Sequence, residues 1–157
     1  MRVLLLQNDP TSARQTERVL RSARIEVEQA ESAEDAVELA RTFDYTALIA
    51  DLDLRGMSSL ELISRLRDVR VTTPVVLLTA QARSQDRVRA LEGGADDVIT
   101  TPFDPLELAA RVRAVVRRMQ GLQSSTIQCG PIALDPSSRE VTVSGVPVID
   151  RKSTRLN

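Results

Sequence analysis

The sequence contains no histidine and no tryptophan, a single cysteine, Cys129, and a single lysine, Lys152, so that every other basic residue is arginine. These absences remove whole mechanisms. Ser-His-Asp and Cys-His catalysis, a phosphohistidine carrier and a His-ligated metal are excluded, and no lysine chemistry is available before Lys152. One cysteine forms neither an internal disulfide nor a thiolate metal cage, and Cys129, in a strand-like segment, reads as a small apolar residue. No run approaches the roughly 18 apolar residues that would span a bilayer. The apolar run at the N-terminus is too short for the hydrophobic part of a signal peptide and meets Gln7-Asn8-Asp9 at once. A cytoplasmic location with no membrane partner is therefore expected. With 21 basic against 22 acidic residues and a net charge of −1, there is also no electrostatic footprint of a nucleic-acid surface.

What is present, in 157 residues, suffices for one ordinary domain and a short appendage. Over the first 120 residues, short apolar runs alternate with amphipathic stretches, the pattern of parallel strands joined by crossover helices. Strands are expected at Arg2 to Leu6, Ile25 to Ala30, Tyr45 to Ala50, Pro74 to Leu78 and Asp97 to Thr100. Helix starts are signalled by Asp9-Pro10, by Ser32-Ala33-Glu34-Asp35 and by Asp104-Pro105-Leu106-Glu107. The expected fold is α/β, a doubly wound five-stranded parallel sheet of flavodoxin-like type with its ligand crevice at the C-terminal ends of the strands, followed by a short antiparallel β segment. The periodicity stops in a Gln/Gly/Ser stretch, and residues 121–125 are read as a linker. Ile127 to Leu134 and Arg139 to Val143 have strand character, with turns at Asp135-Pro136-Ser137-Ser138 and Ser144-Gly145.

At the predicted crevice the first strand delivers Gln7-Asn8-Asp9, the third Asp51, the fourth Thr79-Ala80 and the fifth Thr100-Thr101-Pro102. The segments LLLQND, LIADLDLRGMSSLEL, TPVVLLTA and DRVRALEGGADDVITTPFDPLELAARVRAVVRR resemble the receiver domain of bacterial response regulators of the OmpR/PhoB winged-helix type, over residues 1–120. Residues 126–148 resemble the N-terminal sheet that opens that family's DNA-binding domain, cut short before its helices and wing, and residues 149–157 form an atypical tail. The resemblance implies a two-component phosphorelay protein, not an enzyme, whose receiver controls a transcriptional output. Its partners would be a histidine kinase or phosphotransfer protein, a second copy of itself, and DNA only through a complete C-terminal domain.

Residue by residue, the resemblance makes Asp51 the phospho-acceptor and Thr79 the switch hydroxyl. A carboxylate at a strand tip is an accessible oxygen nucleophile, and the transfer needs charge neutralisation around the phosphoryl oxygens. Three departures weaken that chemistry. The family's acidic pair is replaced by Gln7 and Asn8, its phosphate-binding lysine by Thr101, and its aromatic switch by Val98. The Mg2+ ligands implied are Asp51, Asn8 and the backbone carbonyl of Asp53. Asp9 stands one residue late and reads better as a helix N-cap before Pro10. Exchanging two carboxylates for amides removes attraction on the order of a few kcal/mol, so Mg2+ binding is expected to be weak or absent and phosphorylation of Asp51 poor.

Arg87, Glu92, Asp96, Asp97, Glu107, Arg111 and Arg113 match the charged set that pairs across the family's two-fold dimer, a patch suited to self-complementary contact. The alternative function is a phosphorylation-independent dimerisation or protein-interaction module. An enzyme on the same fold is the weakest reading, since no Gly-rich phosphate loop follows the first strand.

Overall fold

The computed structural model describes residues 1–81, 83–123, 127–129, 132–135, 140–144 and 146–147. The tail at 149–157, positions 124–125 of the expected linker and position 126 lie outside the described residues. Met1–Val116 form one compact unit and Arg117–Asn157 a second.

The first unit runs β1 (Arg2–Leu6), α1 (Pro10–Ser22), β2 (Glu26–Gln29), α2 (Ala33–Thr42), β3 (Ala47–Asp51), α3 (Ser59–Asp68), β4 (Val75–Thr79), α4 (Ser84–Glu92), β5 (Asp97–Thr100) and α5, which begins at Pro105. The strands pair in parallel in the order β2-β1-β3-β4-β5. Alternation along the strands divides the core in two. Leu4, Leu6, Leu48, Ala50, Val75 and Leu77 pack under α2, α3 and α4, whereas Val3, Leu5, Ala47, Ile49, Val76 and Leu78 pack under α1 and α5. This is the doubly wound sheet expected from the sequence, and it brings the C-terminal ends of β1, β3, β4 and β5 to one edge.

Two strands end one residue later than expected. Asp51 is still in register with Leu78, and Thr79 with Thr100, so both polar residues belong to the sheet rather than to the loops. Conversely β2 starts after Ile25, whose N–H is taken by the Leu20 carbonyl at the end of α1. That bond and the one from the Arg24 N–H to the Arg21 carbonyl form a Schellman motif. The same pair of bonds closes α3 at Arg70 and Val71 and α4 at Gly94 and Ala95. The left-handed residue is Gly94 in the last case but Arg24 (φ 62°) and Arg70 (φ 63°) in the others.

The last helix, α5 (Pro105–Gln123), runs through residues 121–123, where the sequence reading begins its linker. Met119, Gln120, Leu122 and Gln123 are good helix formers, and one Gly121 among them costs only about 1 kcal/mol. In the second unit β6 (Ile127–Cys129), β7 (Ile132–Asp135), β8 (Glu140–Val143) and β9 (Val146–Pro147) pair antiparallel in chain order. The single strand expected over Ile127 to Leu134 is thus two strands, divided where the sequence reads Gly130-Pro131.

Candidate functional site

An open cleft of about 530 Å3 lies at the C-terminal edge of the parallel sheet. Asn8, Asp51, Asp53, Thr79 and Thr101 all line it, as does Gln7, while Pro102 and Phe103 supply an apolar wall. Each arrives for a local reason. Gln7 and Asn8 follow directly on β1, Asp51 and Thr79 close β3 and β4, and Thr101 follows β5. The Thr101 N–H donates to the Thr79 carbonyl (2.7 Å) and the Leu52 N–H to the Leu78 carbonyl (2.7 Å), which continues the ladder past the strand ends.

Asp9 does not line the cleft. It is the N-cap of α1, accepting from the N–H (2.9 Å) and the hydroxyl (2.8 Å) of Ser12. Those bonds, the hydroxyl's first, hold its carboxyl below the usual range.

Both oxygens of Asp51 are engaged. Gln7 Nε2 donates to Oδ1 at 3.0 Å and the backbone N–H of Asn8 to Oδ2 at 2.8 Å. The Asn8 side chain turns away from Asp51 to the loop after β3. Its Nδ2 donates to the Asp53 carbonyl, and its Oδ1 accepts from the Arg55 N–H at 3.0 Å. Thr79 Oγ1 donates to the Gln81 carbonyl (3.0 Å) and accepts from the Gln81 N–H (3.1 Å).

The groups expected to hold Mg2+ are hydrogen-bonded to protein N–H groups in this arrangement. Of the expected ligands, the Asp53 carbonyl accepts from an amide nitrogen, and the oxygen of Asn8 faces an N–H. The Asp51 carboxylate already accepts from two N–H groups. Among the described residues no group of three or more acidic, His or Cys side chains is arranged to hold a metal ion. Sequence reasoning saw Gln7 as a lost acid and Asn8 as a weak cation ligand; their bonds, and the part played by the backbone of Arg55, depend on which loops the fold brings together.

The charged set on α4, β5 and α5 separates. Arg111 bridges Glu107 (3.0 Å) and Asp97 (3.4 Å), an exposed group worth at most about 1 kcal/mol. Arg87 and Glu92 lie on α4. Asp96 and Arg113 are turned elsewhere: Asp96 Oδ2 accepts from the Val75 N–H at 2.8 Å, and Arg113 Nη2 donates to the Ala23 carbonyl at 2.6 Å, at the end of α1. The same two helices, α4 and α5, carry exposed apolar side chains that the sequence reading missed. Val88 and Leu91 on α4 and Leu106 on α5 are exposed, the last 82% so. No helix among the described residues is long and apolar enough to cross a membrane.

Residues 3–113 match the family described as response regulator receiver domain. The chain is similar to the cell cycle response regulator CtrA of Brucella anthropi, at 38% identity over 92% of this chain and 62% of that protein. To the cell cycle transcriptional regulator CtrA of Caulobacter vibrioides it is 35% identical, over 92% of this chain and 63% of that protein. It therefore spans about three fifths of the length of the curated relatives it matches. Among solved structures, a putative response regulator from Chloroflexus aurantiacus superposes with a TM-score of 0.70 at 35% identity, covering 74% of this chain and 98% of that one. The receiver domain of the sensor histidine kinase PA1611 from Pseudomonas aeruginosa superposes at 0.68 and 25% identity, over 74% of this chain and 97% of that one, and carries a magnesium ion coordinated in its active-site cleft.

Proposed function

The chain belongs to the response regulator receiver family, and from that premise we propose that it is the regulatory part of a transcription-controlling response regulator of the CtrA kind, in which Asp51 is a poor phospho-acceptor. Members of this family are signalling proteins rather than enzymes. The reading rests on one observation: the Asp51 carboxylate stands at the sheet edge beside Thr79 and Thr101, but its oxygens are held by amide N–H groups. As a phospho-acceptor, Asp51 would attack phosphorus through a carboxylate oxygen, and that oxygen must first leave an N–H donor.

The transferring group also carries charge on its equatorial oxygens. Here Thr101 offers a hydroxyl and no cation, and Mg2+ binds weakly or not at all to the donor set described above. Transfer from a histidine kinase or phosphotransfer protein is accordingly slow. The protein acts in the cytoplasm, and DNA is engaged only through a complete C-terminal domain.

Incubation with acetyl phosphate and Mg2+, followed by intact-mass measurement, tests this. A small fraction carrying one phosphoryl group, absent in Asp51→Asn, is expected; near-complete addition overturns it.

A second reading, a module that assembles without phosphorylation, is favoured by the exposed apolar Val88 and Leu91 on α4 and Leu106 on α5, the helix that also carries the Arg111 ion pairs. It requires that Asp51→Asn leave the output unchanged while Arg111→Glu breaks a homodimer in sedimentation.

A further inference from the structure

A cation coordinated between two loops does two things at once: it offsets carboxylate charge and it cross-links the loops. The amides of Gln7 and Asn8 supply no charge, but they solvate the carboxylate and cross-link the loops with hydrogen bonds. Asp51 receives two N–H donors, from Gln7 Nε2 and from the Asn8 backbone, and hydrogen bonds to an ionised acceptor are the stronger kind. The Asn8 side chain then reaches the loop after β3 with both of its ends, donating to the Asp53 carbonyl and accepting from the Arg55 N–H.

The orientation of both amides is fixed by their partners. Reversing Asn8 sets oxygen against oxygen at Asp53 and N–H against N–H at Arg55. Reversing Gln7 sets its carbonyl against the Asp51 carboxylate. This orientation leaves Gln7 Oε1 buried without a partner, the one such side-chain atom among the described residues. An orphaned acceptor costs free energy, and it is tolerated here because the opposite end of the same amide holds Asp51.

Resting on the reading of this cleft as a receiver pocket, we propose that Gln7 and Asn8 form an amide latch that takes the place of the divalent cation, stabilising the Asp51 carboxylate by hydrogen bonds and tying the segment after β1 to the segment after β3. Unlike a bound ion, the latch is intramolecular, so its strength is independent of metal concentration. The two loops are joined in the resting protein whatever the Mg2+ supply.

The test is thermal unfolding of the full chain in EDTA and in millimolar MgCl2, for the native protein, Asn8→Asp and Asn8→Ala. The native midpoint is expected to be the same in both buffers. Asn8→Asp removes the donor to Asp53 and adds a like charge near Asp51. It should lose several degrees in EDTA and recover them saturably as Mg2+ is added, because the introduced carboxylate restores a cation ligand. Recovery of folding by Mg2+ counts the same way if that variant does not fold in EDTA.

Asn8→Ala removes both side-chain bonds without adding charge, and should lose a few degrees that Mg2+ does not restore. A saturable rise of the native midpoint with Mg2+, or an Asn8→Ala midpoint equal to the native one, overturns the latch. These outcomes are separate from the phosphodonor experiment. A native protein that ignores Mg2+ yet accepts a full phosphoryl group refutes poor acceptance and leaves the latch standing, and the reverse pattern does the opposite.

Discussion

The hydroxyl of Thr79 closes on the backbone of Gln81, two residues on, donating to its carbonyl at 3.0 Å and accepting from its N–H at 3.1 Å. Thr79 is nearly buried. To reach a group on Asp51 the hydroxyl must give up this local turn, so any movement of Thr79 toward the cleft loosens the start of the segment between β4 and α4. Thr79→Val keeps the shape and deletes both bonds. A loss of about 1 kcal/mol is expected, read as a lower urea midpoint at unchanged m-value, with Thr79→Ser near the native value.

Asp96 and Val75 exchange two hydrogen bonds: the Asp96 N–H donates to the Val75 carbonyl and the Asp96 carboxylate accepts from the Val75 N–H, each at 2.8 Å. Val75 is fully buried, so Asp96→Ala strands a buried backbone donor. The expected cost is about 1–3 kcal/mol in chemical denaturation. The association state, read by sedimentation with the folded variant, should not change, which separates Asp96 from the Arg111 group beside it.

Arg24 and Arg70 occupy the left-handed position of Schellman motifs that Gly94 fills at the end of α4. A side chain there is strained where glycine is not, and both arginines are exposed. Arg24→Gly and Arg70→Gly are each expected to change stability by no more than about 1 kcal/mol, in the stabilising direction. A shift of the thermal midpoint upward by a few degrees in the double variant checks this.

Tyr45 is the protein's only tyrosine, and its phenol is pushed up to about 12 by burial, aided by the hydrogen bond it donates to Glu28 at 2.7 Å. Arg2 pairs with the same carboxylate and lies over the Tyr45 ring, 5.2 Å from its centre. The unfolded chain ionises this group near pH 10. The Tyr45 contribution is thus fully present below about pH 10 and is lost as pH rises from there to about 12. A phenolate absorbance titration should show a midpoint well above that of free tyrosine, and Glu28→Gln should lower it.

The parallel sheet was legible because its central strands are apolar on both faces and its helices carry their own starts, Asp9-Pro10 and Ser32 among them. Strand ends were less so. Whether β3 stops at Ala50 or Asp51 depends on a partner in β4 that no local pattern names. The Schellman positions at Arg24 and Arg70 were hidden because arginine gives no signal where glycine would. The charged set around α5 held information that spacing alone could have extracted: Arg111 and Arg113 are two residues apart on a helix and cannot share a face. Asn8 is the reverse case. Its identity marks a missing acid, but its bonds to Asp53 and Arg55 exist only because the sheet sets the loops after β1 and β3 side by side.

The alternation of the strands carries one more meaning at the sheet edge. Asp51 shares its parity with Ile49, on the side packed by α1 and α5, whereas Thr79 shares its parity with Leu77, on the side packed by α2, α3 and α4. The two side chains are rooted in opposite half-cores and converge above the rim of the sheet. The rim of the sheet is thus where two separately packed layers meet, and the cleft is lined by side chains anchored in both.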